Sequence, residues 1–192
     1  MTDLDREIRI AGAMAGDLKA YLLSDTLYWP LSDSGPKGFP FPLGTVGGML
    51  LRLRRLAAAT DALSPDQFQQ FEQARQKADD ELKHWAIQAE EKEVREIKAR
   101  LQTWSAFLDD AIGDPTRHTV EYPTQVENRA IMDMLLAIAG RAADGQNFRA
   151  RLDSLDQRLQ ANTQSADFVW DAIYAPAFPK AANWWLYVAL RR

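Results

Sequence analysis

Apolar residues recur along most of this chain at steps of three and four, the spacing that places them on one side of an α-helix. Leu4, Ile8, Ala11, Ala15, Leu18 and Leu22 draw the first stripe and predict a helix from Asp3 to Leu23. Val46, Met49, Leu50, Leu53, Leu56, Ala57 and Thr60 draw a second over Thr45 to Leu63, with Arg52 and Arg55 on one flank. The third helix has a well-marked start. Ser64 is an N-cap, Pro65 stands at the first helical position and Gln67 completes a capping box. The pattern then runs to Ile112, where Gly113 and Pro115 supply the stop.

Inside that run Phe68, Phe71, Ala74, Ala78, Leu82, Trp85 and Ala89 form one stripe, and Ile97, Leu101, Trp104, Leu108 and Ile112 form another. Glu90-Glu91-Lys92-Glu93 interrupts them, so the register is expected to slip near residue 90. A straight helix over 65–112 would be roughly 70 Å long. A compact chain of this length has a radius of gyration of only about 16 Å. The helix therefore projects from the body or bends near residue 90. Its stripes need cover, from the later helices or from a second copy, and a two-fold homodimer is the expectation.

Elsewhere the helical pattern stops. Pro30, Pro36, Pro40 and Pro42, with Gly35 and Gly38, forbid a continuous helix over 24–43. That loop also carries Trp29, Leu31, Phe39, Phe41 and Leu43, which predicts that it packs on the helices. After a turn at 114–124, a fourth helix is predicted over Val126 to Ala143 through Ile131, Leu135, Ile138 and Ala142. Asp144-Gly145-Gln146-Asn147 reads as a break, with Asn147 capping a fifth helix that carries Phe148, Leu152, Leu155 and Leu159. Pro176 and Pro179 divide an aromatic tail, residues 166–192, into two short helical pieces. No segment alternates in the manner of a strand. The expected architecture is all-α: a single domain over 1–192, a bundle of five to six helices with one unusually long. Its core should hold Leu18, Leu22, Leu53, Leu56, Phe71, Trp104, Leu108, Leu135 and Leu152.

Composition narrows the chemistry. The absence of cysteine excludes disulfides and thiolate metal sites. A net charge of −4 argues mildly against a nucleic-acid binder. The acidic start, Met1-Thr2-Asp3-Leu4-Asp5, is unlike a signal peptide, and no apolar run of about 18 residues exists to span a membrane. The cytoplasm is the expected location, and no cofactor is implied.

Several motifs could carry chemistry. Glu81-Leu82-Lys83-His84 has the Glu-x-x-His step of carboxylate-bridged metal bundles but lacks the second half of that set, so no metal is expected. Gly44-Thr45-Val46-Gly47-Gly48 opens the second helix ahead of Arg52, Arg54 and Arg55, and a helix start favours anions. Its spacing is not that of a nucleotide-binding loop. No nucleophile motif occurs, and Asp79-Asp80 and Asp109-Asp110 point about 100° apart on a helix, so no catalytic set is assigned. The expected function is a non-catalytic interaction or scaffolding module, a homodimer or a binder of another protein. Its interface residues would be Leu82 and Trp85 on the long helix and Trp184 and Trp185 in the tail. The alternative is a small-molecule binder or enzyme, with Trp29, Phe39 and Phe41 walling a pocket and Arg52 or Arg55 holding an anion. For the tail, docking onto its own bundle is favoured over an oligomer interface or a membrane surface.

Overall fold

The fold is taken from a computed structural model that describes residues 3–33, 40–139 and 145–191. Its described residues form seven α-helices: α1 (Asp3–Leu22), α2 (Val46–Ala58), α3 (Pro65–His84), α4 (Ala86–Gly113), α5 (Pro115–His118), α6 (Tyr122–Ala139) and α7 (Gly145–Ala161). Short 3-10 turns occupy Thr60–Ala62, Ala172–Ala177 and Trp184–Tyr187. The architecture is all-α, and all nine residues expected in the core are buried.

The chain divides into two compact units, Met1–Glu96 and Ile97–Arg192, and the boundary falls inside α4. In the first unit α1 and α3 run side by side in the same direction. Gln67 near the start of α3 donates to Asp5 near the start of α1, and Lys19 near the end of α1 lies over Trp85 just past the end of α3. α2 runs back antiparallel along α1, its Arg52 beside Glu7 at 3.4 Å. Thr60–Ala62 forms a separate turn after α2, so the helix expected to reach Leu63 stops at Ala58. The Ser64–Gln67 capping box is present in both directions and starts α3.

The long helix expected over 65–112 is two helices. The break lies at Trp85, whose φ of −110° and ψ of 42° leave the helical region, rather than near residue 90. The Trp85 amide still donates to Glu81 O and its carbonyl still accepts from Ala89, so Trp85 keeps both of its helical bonds through the turn. Beyond the break Lys92, Glu93 and Glu96 point inward in phase with Ala89 and Ile97. The charged run therefore continues the buried stripe instead of interrupting it. Phe68, expected in that stripe, is 45 % exposed.

In the second unit α6 and α7 pack together with the later half of α4. α6 begins at Tyr122, earlier than expected, because Pro123 is tolerated in a first turn where its missing N–H has no intrahelical partner to lose. Ile138, expected on its apolar face, is 54 % exposed. α7 starts at Gly145, so Gly145, Gln146 and Asn147 of the predicted break lie within the helix, and Asn147 does not cap it; Asp144 falls outside the described residues. Two strands not expected from the sequence, β1 (Thr163–Ser165) and β2 (Val188–Leu190), pair antiparallel with Thr163 opposite Leu190. Three residues each are too few to show alternation, and the pairing joins segments far apart in the chain. The aromatic tail docks on α6: Tyr122 donates its hydroxyl to the Trp185 carbonyl at 2.7 Å, and Trp170 Nε1 donates to the Pro123 carbonyl.

Candidate functional site

Among the described residues, little space is left between Trp29 and the start of α2. Trp29 and Gly44 exchange backbone hydrogen bonds of 3.0 and 2.7 Å, which pinches the loop against α2. A Cβ on Gly44 would meet Leu31 Cδ2 at 2.9 Å, so glycine permits this approach. What remains beside Trp29, Gly44, Thr45 and Met49 is a cavity of about 10 Å³, the space of a single water. Neither Arg52 nor Arg55 lines it. Arg52 donates to the Gly48 carbonyl and faces Glu7, while Arg55 is 8 % exposed within α2. Phe41 lies under the Arg9 guanidinium of α1, 5.4 Å from its charge centre. Phe39 falls outside the described residues.

The helix start at Gly44-Thr45-Val46-Gly47-Gly48 does bind an anion, and the anion belongs to the chain. Glu96, fully buried on α4, accepts from Thr45 Oγ1 at 2.7 Å and from the Gly47 amide at 2.8 Å. Thr45 is also the N-cap of α2 and accepts from the Gly48 amide. A Cβ on Gly48 would meet that hydroxyl at 2.9 Å. One turn earlier on α4, Lys92 donates to the Ser24 and Thr26 carbonyls and lies 4.6 Å from the Tyr21 ring centroid. Burial pushes its ammonium below the usual lysine range.

Glu93, 5 % exposed, shares this layer. Burial, then the Glu90 and Glu96 carboxylates, push its acid up from 4.5 to about 7. The folded protein thus keeps a proton that the unfolded chain releases above about pH 4.5. The associated stability is complete below that point and is lost as pH rises towards 7. Glu93→Gln, a neutral isostere, is expected to be more stable than the parent at about pH 8 by ~1–2 kcal/mol, discounted for partial solvent screening. At about pH 4 the two should coincide. Thermal denaturation of both proteins across that range checks this, and parallel curves would refute it.

Open space lies on the outer face of α1 and α3. A groove of about 260 Å³ runs between them, floored by Gly12, Ala15 and Gly16 and walled by Arg9, Gln73 and Lys77. A broad depression of about 640 Å³ on α3 shares Gln73 and Lys77 with it. Where α3 ends, Lys19, Asp80, Glu81, His84 and Trp85 line a cleft of about 310 Å³. Glu81 Oε2 accepts from Trp85 Nε1 at 3.1 Å, and the His84 ring stands edge-on to the indole at 4.8 Å. Glu81 and His84 are therefore together, but among the described residues no group of three or more His, Asp or Glu is placed to hold a metal.

Of the four predicted interface residues, Trp85 lines this cleft and Leu82 is half-buried on α3. Trp185 is 3 % exposed beneath the Arg129 guanidinium, and Trp184 is half-buried beside it. Apolar periodicity alone passes over Gly12 and Gly16. Their signal is of another kind: two glycines four apart in the middle of a predicted helix each cost about 1 kcal/mol relative to alanine. No family model matches the chain, and no curated protein or solved structure does. Among the described residues no helix is long and apolar enough to cross a membrane.

Proposed function

We propose that the protein is a non-catalytic interaction module that recognises a protein partner through the outer face of α1 and α3. The groove over Gly12 and Gly16 carries this reading. Both glycines sit inside a 20-residue helix, and a Cβ at either position would meet nothing within 4 Å. Among the described residues, the packing gives no reason to omit a side chain there. A partner lying close along the helix would. The chemistry elsewhere in this unit is turned inward: Glu96 caps α2, Lys92 ties down the loop, and the cavity beside Trp29 holds a water at most. A cytoplasmic location and a second copy of the chain as first partner belong to the same proposal.

A photo-crosslinking residue in place of Gln73, on the groove wall, is expected to give a discrete adduct in cells, and one in place of Gln160 on α7 none. An adduct of twice the chain's mass identifies a second copy; another mass identifies a different protein. Gly12→Leu should abolish the adduct while raising the stability of α1 by about 0.5–1 kcal/mol. No adduct at Gln73, or one indifferent to Gly12→Leu, overturns the reading.

A further inference from the structure

We propose that the cleft at the end of α3 binds an organic cation, a primary ammonium or a guanidinium carried by a peptide or a polyamine. Indole is the strongest side-chain π surface for a cation, and attraction extends to about 6 Å from the ring centre. The Trp85 ring is held in place on two sides, by its hydrogen bond to Glu81 and by the edge of His84. A cation is already over it: Lys19 Nζ lies 5.8 Å from the ring centroid, at the outer limit of that range.

Two carboxylates line the cleft, and each has capacity left. Glu81 gives one oxygen to the indole, and Asp80 gives one to Gln76 Nε2 at 2.9 Å. Lys19 supplies one positive charge against their two negative ones. Among the described residues the Lys19 side chain makes no hydrogen bond or ion pair, so it can swing aside. An incoming cation would sit closer over the ring and take the second oxygens of Glu81 and Asp80. The volume of about 310 Å³ reaches the lower end of the range for ligand sites, unlike the cavity beside Trp29. The protein's net charge of −4 draws cations towards it at long range.

This inference rests on the reading of the α1–α3 face as a recognition surface and names what the partner inserts there. The indole N–H signal of Trp85 reports the site directly in nuclear magnetic resonance. Spermidine and a short lysine- and arginine-bearing peptide, titrated separately, should move that signal and the His84 ring signals saturably, while the peptide with acetylated lysines and citrulline for arginine should not. Movement with one probe only identifies the carrier. Trp85→Leu should abolish saturable binding, read from the His84 signals, and Glu81→Gln should weaken it several-fold. Lys19→Met should tighten it several-fold by removing the resident cation, whereas Lys180→Met, the same charge change in the second unit, should leave it unaltered. No movement with either cation at millimolar concentration overturns the proposal, as does equal tightening by Lys19→Met and Lys180→Met. A Gln73 adduct without cation binding removes this inference and leaves the interaction reading standing. Cation binding without an adduct does the reverse.

Discussion

Glu96→Ala is expected to lower the free energy of unfolding by ~3–5 kcal/mol, the scale for removing a buried charge that others depend on. The Glu96 carboxylate is fully buried and takes two hydrogen bonds at the start of α2, one from the cap residue's hydroxyl and one from the Gly47 amide. Helix starts carry unsatisfied amides and a partial positive charge, so a carboxylate there is favoured twice over. Alanine would leave both donors buried without their acceptor and a void where the side chain was. Glu96→Gln should cost less than alanine but still substantially, because its amide offers one acceptor and a misplaced donor. Glu90→Ala, an exposed acid on the same helix, should stay within about 0.5 kcal/mol of the parent. Urea denaturation of the three variants measures this. A loss at Glu96→Ala no larger than at Glu90→Ala would show that the carboxylate does not hold the helix start.

The contrast between Glu96 and Glu90 shows where the sequence is legible. Stripes of Leu, Ile and Ala locate α1, α2, α6 and α7 because apolar periodicity is a local signal. The Ser64–Gln67 box locates the start of α3 to the residue, since a cap and its partner are three positions apart. Glu93, Glu96 and Lys92 defeat the same reasoning, which assigns charge to the wet side. Their surroundings lie far along the chain. Glu96 meets residues 51 and 49 positions away, and Lys92 one 68 positions away. The anion preference of Gly44-Thr45-Val46-Gly47-Gly48 is readable; that the anion would be Glu96 is not. The break at Trp85 is misplaced for a related reason, since no proline or glycine marks it and the charged run after it resembles the cause of a slip. Gly12 and Gly16, in contrast, stand out as an anomaly in the sequence itself. Only the packing around them shows that, among the described residues, no neighbouring atom would meet a side chain's first carbon there.

Arg129→Ala is expected to cost a further ~3–5 kcal/mol in the second unit, by stranding a buried partner. Arg129 is 5 % exposed on α6 and grips Asp156 of α7 with two nearly parallel bonds of 2.7 and 2.8 Å. Its guanidinium plane also lies 3.6 Å from the centroid of the Trp185 ring, so one side chain joins α6, α7 and the tail. Burial already raises the Asp156 acid above its ordinary range despite Arg129. Without the guanidinium that acid rises further, so the loss in Arg129→Ala should deepen as pH climbs past the point, already above the ordinary aspartate range, where Asp156 ionises in the folded parent. Arg129→Lys should recover only a minor part, because an ammonium can neither fork across both oxygens nor stack on the indole. Replacing the pair together, Arg129→Met with Asp156→Leu, should restore most of the stability, since it leaves no unpaired charge behind. Denaturation curves for the four proteins at two pH values separate the two roles. Equal losses in the single and double variants would assign Arg129 to packing against Trp185 alone, and the ion pair would then contribute nothing to holding α7 on α6.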